Sequence, residues 1–165
     1  MRRPQEIEKE FIAKIHKHQG ILHKICFIYA KSNAEKEDLY QEIILQLWKS
    51  YPSFKGKSEF STWMYRVALN TAITLTKKVS LLELNLKNAP KTYEFEKSMD
   101  YSEDVKVLYK AISQLKKVDK AIILMWLDEK SYHDIAETVG ISVKNVSVKL
   151  VRIKAKLAEL IENLQ

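Results

Sequence analysis

Between residues 5 and 31 the apolar positions Ile7, Phe11, Ile15, Ile21, Leu22, Ile25 and Ile28 recur mostly at three- and four-residue steps, with Gly20 as a candidate break. That period predicts helix with one buried face. Ser32 and Glu35 then form an S-x-x-E capping box, in which hydroxyl and carboxylate each satisfy a free amide at a helix start. The helix that follows is expected to end at Pro52, whose ring cannot continue it. A third helix is expected over about 59–78. Residues 79–104 lose the period, contain Pro90 and carry six acids against three lysines, so they read as a linker. Helical spacing resumes over 103–127; a short helix at 131–139, Gly140 and a long helix to about residue 163 follow. The expected fold class is all-α, with two small helical domains at 1–78 and 105–165 joined by a flexible linker.

Composition agrees with that pattern. Three glycines and three prolines in 165 residues are too few for a turn-rich β fold. With 46% apolar and 30% charged residues the chain can bury a core. The net charge of +7 points to a polyanionic partner, since lysines and arginines gain free energy by releasing counterions from nucleic acid. The single cysteine, Cys26, excludes an internal disulfide framework and fits a reducing compartment, so a cytoplasmic location is expected. No continuous apolar run suits a signal peptide or a membrane span, and no membrane insertion is expected.

Candidate chemistry starts at the C-terminal end. Ser131 and Asp134 make another helix start, Ile135, Ala136 and Val139 face inward, and Gly140 sits where two crossing helices need a tight turn. Ser142 caps the next helix. On a wheel of about 100° per residue, Val146, Leu150, Ile153 and Leu157 form its core face. Lys144, Val148, Val151 and Arg152 lie roughly opposite, and residues 141–156 hold five bases and no acid. A helix in a major groove pairs such bases with phosphates or guanine edges, and its valines touch thymine methyls.

Two further faces stand out. On the helix from Asp38, residues Leu39, Tyr40, Ile43, Ile44 and Leu47 cluster inward, while Asp38, Gln41, Glu42, Leu45 and Lys49 form an outer stripe with one leucine at its centre, as a protein contact does. Lys55 and Lys57 flank Gly56 directly ahead of the third helix. On that helix Arg66, Asn70, Ile73 and Lys77 share a side, with Trp63 beside them. Bases, an amide and an aromatic suit a nucleic acid with unstacked bases. Met64, Val67, Ala68, Thr71 and Leu75 are expected to face the core, with Trp63 or Tyr65 as alternative core filler.

The stretch DLYQEIILQLWKSYPSFKGKSEFSTWMYRVALNTAI resembles region 2 of bacterial RNA polymerase sigma factors of the extracytoplasmic-function group, and AISQLKKVDKAIILMWLDEKSYHDIAETVGISVKNVSVKLVRIKAKL resembles their region 4. The resemblance implies a sigma factor that recruits core polymerase to chosen promoters. Asp38, Gln41, Glu42, Leu45 and Lys49 would dock on the β′ clamp helices, and the segment 115–127 would sit near the β flap. The loop 53–60 with Lys55 and Lys57, and the helix with Trp63, Arg66, Asn70 and Lys77, would melt and read the minus-ten element. Lys144, Ser147, Val148, Val151 and Arg152 would read the minus-thirty-five element, and the linker's acidic excess would suit a basic channel of the polymerase. An anti-sigma factor is a candidate third partner. One departure is Lys117, where many relatives open the helix with proline.

The resemblance implies no catalytic residue and no cofactor. The residues alone leave two rivals: a helix-turn-helix regulator acting without polymerase, and an enzyme such as a recombinase or metalloenzyme. Recombinase chemistry needs clustered arginines or metal-binding acids, whereas the four arginines are Arg2, Arg3, Arg66 and Arg152. His23 and Cys26 share a helix face, but two ligands do not close a metal site, so no metal is expected and Cys26 is expected to be buried.

Overall fold

The computed structural model describes residues 2–83 and 101–165, the side chains of residues 76–83 excepted. Among these residues every regular element is helical. The first predicted helix is two, α1 (Pro4–Lys17) and α2 (Gln19–Tyr29). They part at His18 and not at Gly20, which lies in the first turn of α2. The His18 amide still reaches the carbonyls of Lys14 and Ile15 at 3.2 Å, closing α1 with a tight turn, and its ring packs 5.6 Å from Phe60.

Helix α3 (Asn33–Ser50) keeps half of the expected capping box: the Glu35 amide donates to Ser32 Oγ at 3.2 Å, while the Glu35 carboxylate accepts from the Lys31 amide at 3.0 Å, one residue before the cap. It ends in a 3-10 turn, Tyr51–Ser53, that contains Pro52. Helix α4 (Phe60–Glu83) runs five residues past the expected end at Lys78, so the first part of the expected linker is helical; the acidic stretch 84–100 lies outside the described residues. The stretch expected as helical over 103–127 is broken into α5 (Glu103–Ser113) and α6 (Lys117–Leu127). Helices α7 (Tyr132–Val139) and α8 (Val143–Leu164) complete the chain.

Lys117 does open α6, and no side chain caps its start. That start is instead held from outside: the Tyr29 hydroxyl of α2 donates to the Lys117 carbonyl at 2.7 Å. Helices α2, α3 and α4 pack on one another around Leu22, Ile25, Leu39, Ile43, Leu47, Met64 and Leu69, while α5, α6 and α7 pack on α8 around Ile112, Ile122, Ile135, Val146 and Leu150. Burying each such side chain contributes about 1.5 to 3 kcal/mol. The two groups of helices touch, α2 against α5 and α4 against α6 and α7, and the buried apolar cluster is continuous across them.

Candidate nucleic-acid interface

The glycine turn ahead of α4 stands on an aromatic foundation. Phe54 lies 5.1 Å and Phe60 5.3 Å from Trp63, ring to ring, and Tyr51 stacks on Phe54 at 6.5 Å. The Lys14 ammonium sits 5.5 to 5.7 Å from the ring centres of Tyr51, Phe54 and Phe60 and donates to the Tyr51 hydroxyl at 3.2 Å. Burial pushes the Tyr51 hydroxyl up, and its bond to Glu10 adds to that. Above this cluster Lys55, Gly56 and Lys57 are exposed, and Gly56 takes φ +73, a left-handed conformation that glycine adopts without strain. Two ammonium groups are therefore held out at the tip of a firmly based loop.

Trp63 belongs to the foundation. It is 9% exposed, so it is not an open stacking surface beside Arg66 and Asn70, and Tyr65 is buried as well. Helical spacing places Trp63 on the Arg66 side, but Phe54 of the preceding loop folds back onto it and Phe60, one turn earlier on α4, packs beside it. Of the expected core positions Met64 and Ala68 are buried, and Val67, Thr71 and Leu75 are half-buried. Asn70 is exposed and lines a cleft of about 350 Å³ between α3 and α4 with Glu42, Gln46, Thr71, Thr74 and Leu75. Glu42 and Asn70, assigned to different partners from sequence, thus share one cleft. The Lys77 side chain lies outside the described residues.

The outer stripe of α3 forms as expected, with Asp38, Gln41, Leu45 and Lys49 exposed and Glu42 half-buried. Leu45 is 43% exposed. Sequence reading missed Trp48, which is 40% exposed, packs 5.0 Å from Phe11, and with Pro4, Ile7, Lys49, Tyr51 and Pro52 lines an apolar cleft of about 410 Å³. Its place three residues after Leu45 was the available signal.

At the other end, the Asp134 amide donates to Ser131 Oγ at 3.0 Å, Gly140 takes φ +76, and the Asn145 amide donates to Ser142 Oγ at 3.1 Å. These local rules fix the crossing of α7 and α8. Val146, Leu150, Ile153 and Leu157 are buried, and Lys144, Ser147, Val148, Val151 and Arg152 are exposed. Three of the five bases are partly engaged at home: Lys149 lies 3.8 Å from Asp119, Lys156 lies 3.9 Å from Glu159, and the Lys154 ammonium lies 3.9 Å from the Trp126 ring centre.

His23 stacks on Tyr40 at 5.1 Å, and burial lowers its basicity. Cys26 is fully buried, with its thiol pushed up to about 12 by burial, which leaves it a poor nucleophile. No helix among the described residues is long and apolar enough to cross a membrane.

Comparison with known proteins assigns both halves. The family model Sigma-70 region 2 matches residues 15–80, and the model Sigma-70, region 4 matches residues 106–157. A 49-residue stretch is 45% identical to the ECF RNA polymerase sigma factor SigG of Mycobacterium tuberculosis, covering 30% of this chain and only 13% of that protein. Over 170 aligned residues the chain is 29% identical to the ECF RNA polymerase sigma-E factor of Haemophilus influenzae, covering 94% of this chain and 87% of that one. Among solved structures, the sigma factor RpoE of Bartonella quintana, in complex with the anti-sigma factor NepR, shares the fold with a TM-score of 0.74 at 19% identity, over 93% of this chain and 98% of that one.

Proposed function

We propose, from the premise that this chain belongs to the extracytoplasmic-function group of RNA polymerase sigma factors, that it is an alternative sigma factor directing promoter-specific initiation by core polymerase. Region 2 occupies the unit at about 1–78, region 4 the unit at about 105–165, and the stretch between them is the linker. The observation that carries the reading is the surface each unit presents: an exposed polar stripe with Leu45 on α3, a raised two-lysine loop before α4, and a basic stripe with two exposed valines on α8.

The Asp38, Gln41, Glu42, Leu45 and Lys49 stripe docks on the β′ clamp helices, and Trp48 extends it over α1 as an apolar anchor. Residues 115–127 lie by the β flap. Lys55 and Lys57 hold the phosphates on either side of an unpaired minus-ten base, and Arg66 and Asn70 hold the adjoining strand; Lys77 continues that side. Trp63 supports the loop from beneath. Unstacking a base step costs a few kcal/mol, which ammonium contacts to the released strand offset. Lys144, Ser147, Val148, Val151 and Arg152 meet the minus-thirty-five major groove, where the valines favour thymine methyls and Arg152 a phosphate or guanine edge.

The action is binding without catalysis, and the site is in the cytoplasm where polymerase works. By likeness to RpoE, solved with NepR, an anti-sigma factor is a further partner. In vitro transcription with core polymerase on fragments of the host genome tests the reading. Discrete start sites absent with core alone are expected; none at any concentration of the chain overturns it.

A further inference from the structure

A cleft of about 260 Å³ lies where the last turn of α2 and the first turn of α3 meet the end of α5 and the start of α6, and four lysines line it: Lys31, Lys36, Lys110 and Lys120. None of them belongs to the α3 stripe, the two-lysine loop before α4 or the basic stripe of α8. Among the described residues no acid lines the cleft. The lysines come from separate places in the chain, so no basic run in the sequence announces them.

Aromatic rings hold two of these charges in position. Lys36 is only 5% exposed, with its ammonium 4.5 Å from the Phe27 ring centre, and the Lys120 ammonium lies 5.1 Å from the Tyr29 ring centre. A ring face attracts an ammonium without itself cancelling the charge. Helix ends account for part of the gathering. The last turns of α2 and α5 line the cleft, and a helix C-terminus carries about half a negative charge. Two such ends amount to about one negative charge, less than four ammonium groups bring. The crowding is felt at Lys120, whose basicity is lowered first by burial and then by Lys117 and Lys31. Neither Lys110 nor Lys120 has an ion-pair partner among the described residues. An anion entering the cleft relieves that repulsion.

We propose that this cleft is a binding site for an oligophosphate group, a short chain of linked phosphates, with Lys110 and Lys120 as its principal donors and Lys31 and Lys36 completing the basic wall. A lysine ammonium is a compact charge with three donors, which suits phosphate oxygens approached from several directions. An oligophosphate carries its charges on consecutive phosphorus atoms, whereas the carboxylates of an acidic peptide stand on separate flexible side chains that lose rotamer entropy when gathered. The volume falls just below the roughly 300 to 1,000 Å³ of pockets for drug-sized ligands, so the cleft admits the phosphate chain and leaves a nucleoside outside. Free inorganic oligophosphate and the phosphate end of a nucleotide share this chemistry. The inference uses the cleft alone and stands apart from the sigma-factor reading.

Calorimetric titration of the full free chain at fixed ionic strength tests the site, with sodium tripolyphosphate, ATP, orthophosphate and hexaglutamate as probes. A single tripolyphosphate is expected to bind per chain and to raise the melting temperature, because a ligand of the folded chain stabilises it. Lys110→Gln should weaken binding several-fold, and Lys110→Gln/Lys120→Gln by roughly tenfold to a hundredfold, as the loss of charge-assisted bonds implies. Lys9→Gln/Lys17→Gln removes the same charge from exposed positions of α1 and should leave binding unchanged. Lys110 is exposed, so its single variant keeps the fold, and circular dichroism checks every variant. ATP binding no tighter than tripolyphosphate points to a free inorganic chain and tighter ATP binding to a nucleotide; both support the site. Equal binding by wild type and the folded double variant overturns it, as does orthophosphate or hexaglutamate binding as tightly as tripolyphosphate.

Discussion

Val151 is 70% exposed on a helix whose opposite face is fully buried, and Arg152 stands beside it. Solvent gives no reason for a bare valine there, whereas a thymine methyl does. Arg152→Ala should cost about 1 to 3 kcal/mol of promoter binding with relaxed sequence preference if the guanidinium reads a base, or lower the salt slope by about one if it holds a phosphate. Salt-titrated binding of holoenzyme separates the two, and no change in either removes Arg152 from the interface. Trp63 is the contrasting residue. Because it is packed against Phe54 and Phe60, Trp63→Ala should cost about 3 to 5 kcal/mol of stability, while Asn70→Ala should stay within about 0.5 kcal/mol; thermal melts decide. Both lie on one side of α4 by helical spacing, and nothing in that spacing told them apart. The difference comes from a loop folding back, a contact that periodicity does not encode.

At the scale of elements, local chemistry was the readable part. Ser32, Ser102, Ser131 and Ser142 each accept an amide at a helix start, and three of these four starts were anticipated from the residues alone. Gly140 was legible for the same reason: its φ of +76 is a backbone demand that only certain residues meet cheaply. A Cβ there would meet nothing within 4 Å, so Gly140→Ala isolates the backbone term and should destabilise by about 1 to 2 kcal/mol, as urea unfolding would report. Where elements are set by neighbours, sequence reading slipped. Gly20 was the expected break, yet α1 closes at His18, whose ring has a partner in Phe60. The start of α6 carries no side-chain cap, and the turn before it went unseen because its partner, Tyr29, stands 88 residues away in the chain.

For the whole molecule, the net charge of +7 and the order of the two halves were legible, and with the family resemblance they brought the function into view. The contacts between the two units were not, because Arg66, Glu137, Lys130 and Glu59 are ordinary surface charges until the units meet. The function proposed for region 2 of this chain is the opening of promoter DNA. Permanganate reactivity of unpaired thymines tests that most directly, on a promoter found by transcription mapping, with core polymerase plus wild-type chain or Lys55→Ala/Lys57→Ala. Wild-type holoenzyme should expose thymines in the minus-ten element, core alone should expose none, and the double variant should lose most of the signal while still binding core. A bubble of equal strength with the double variant, or no bubble at a promoter that the wild-type holoenzyme occupies, would show that this loop does not open the DNA.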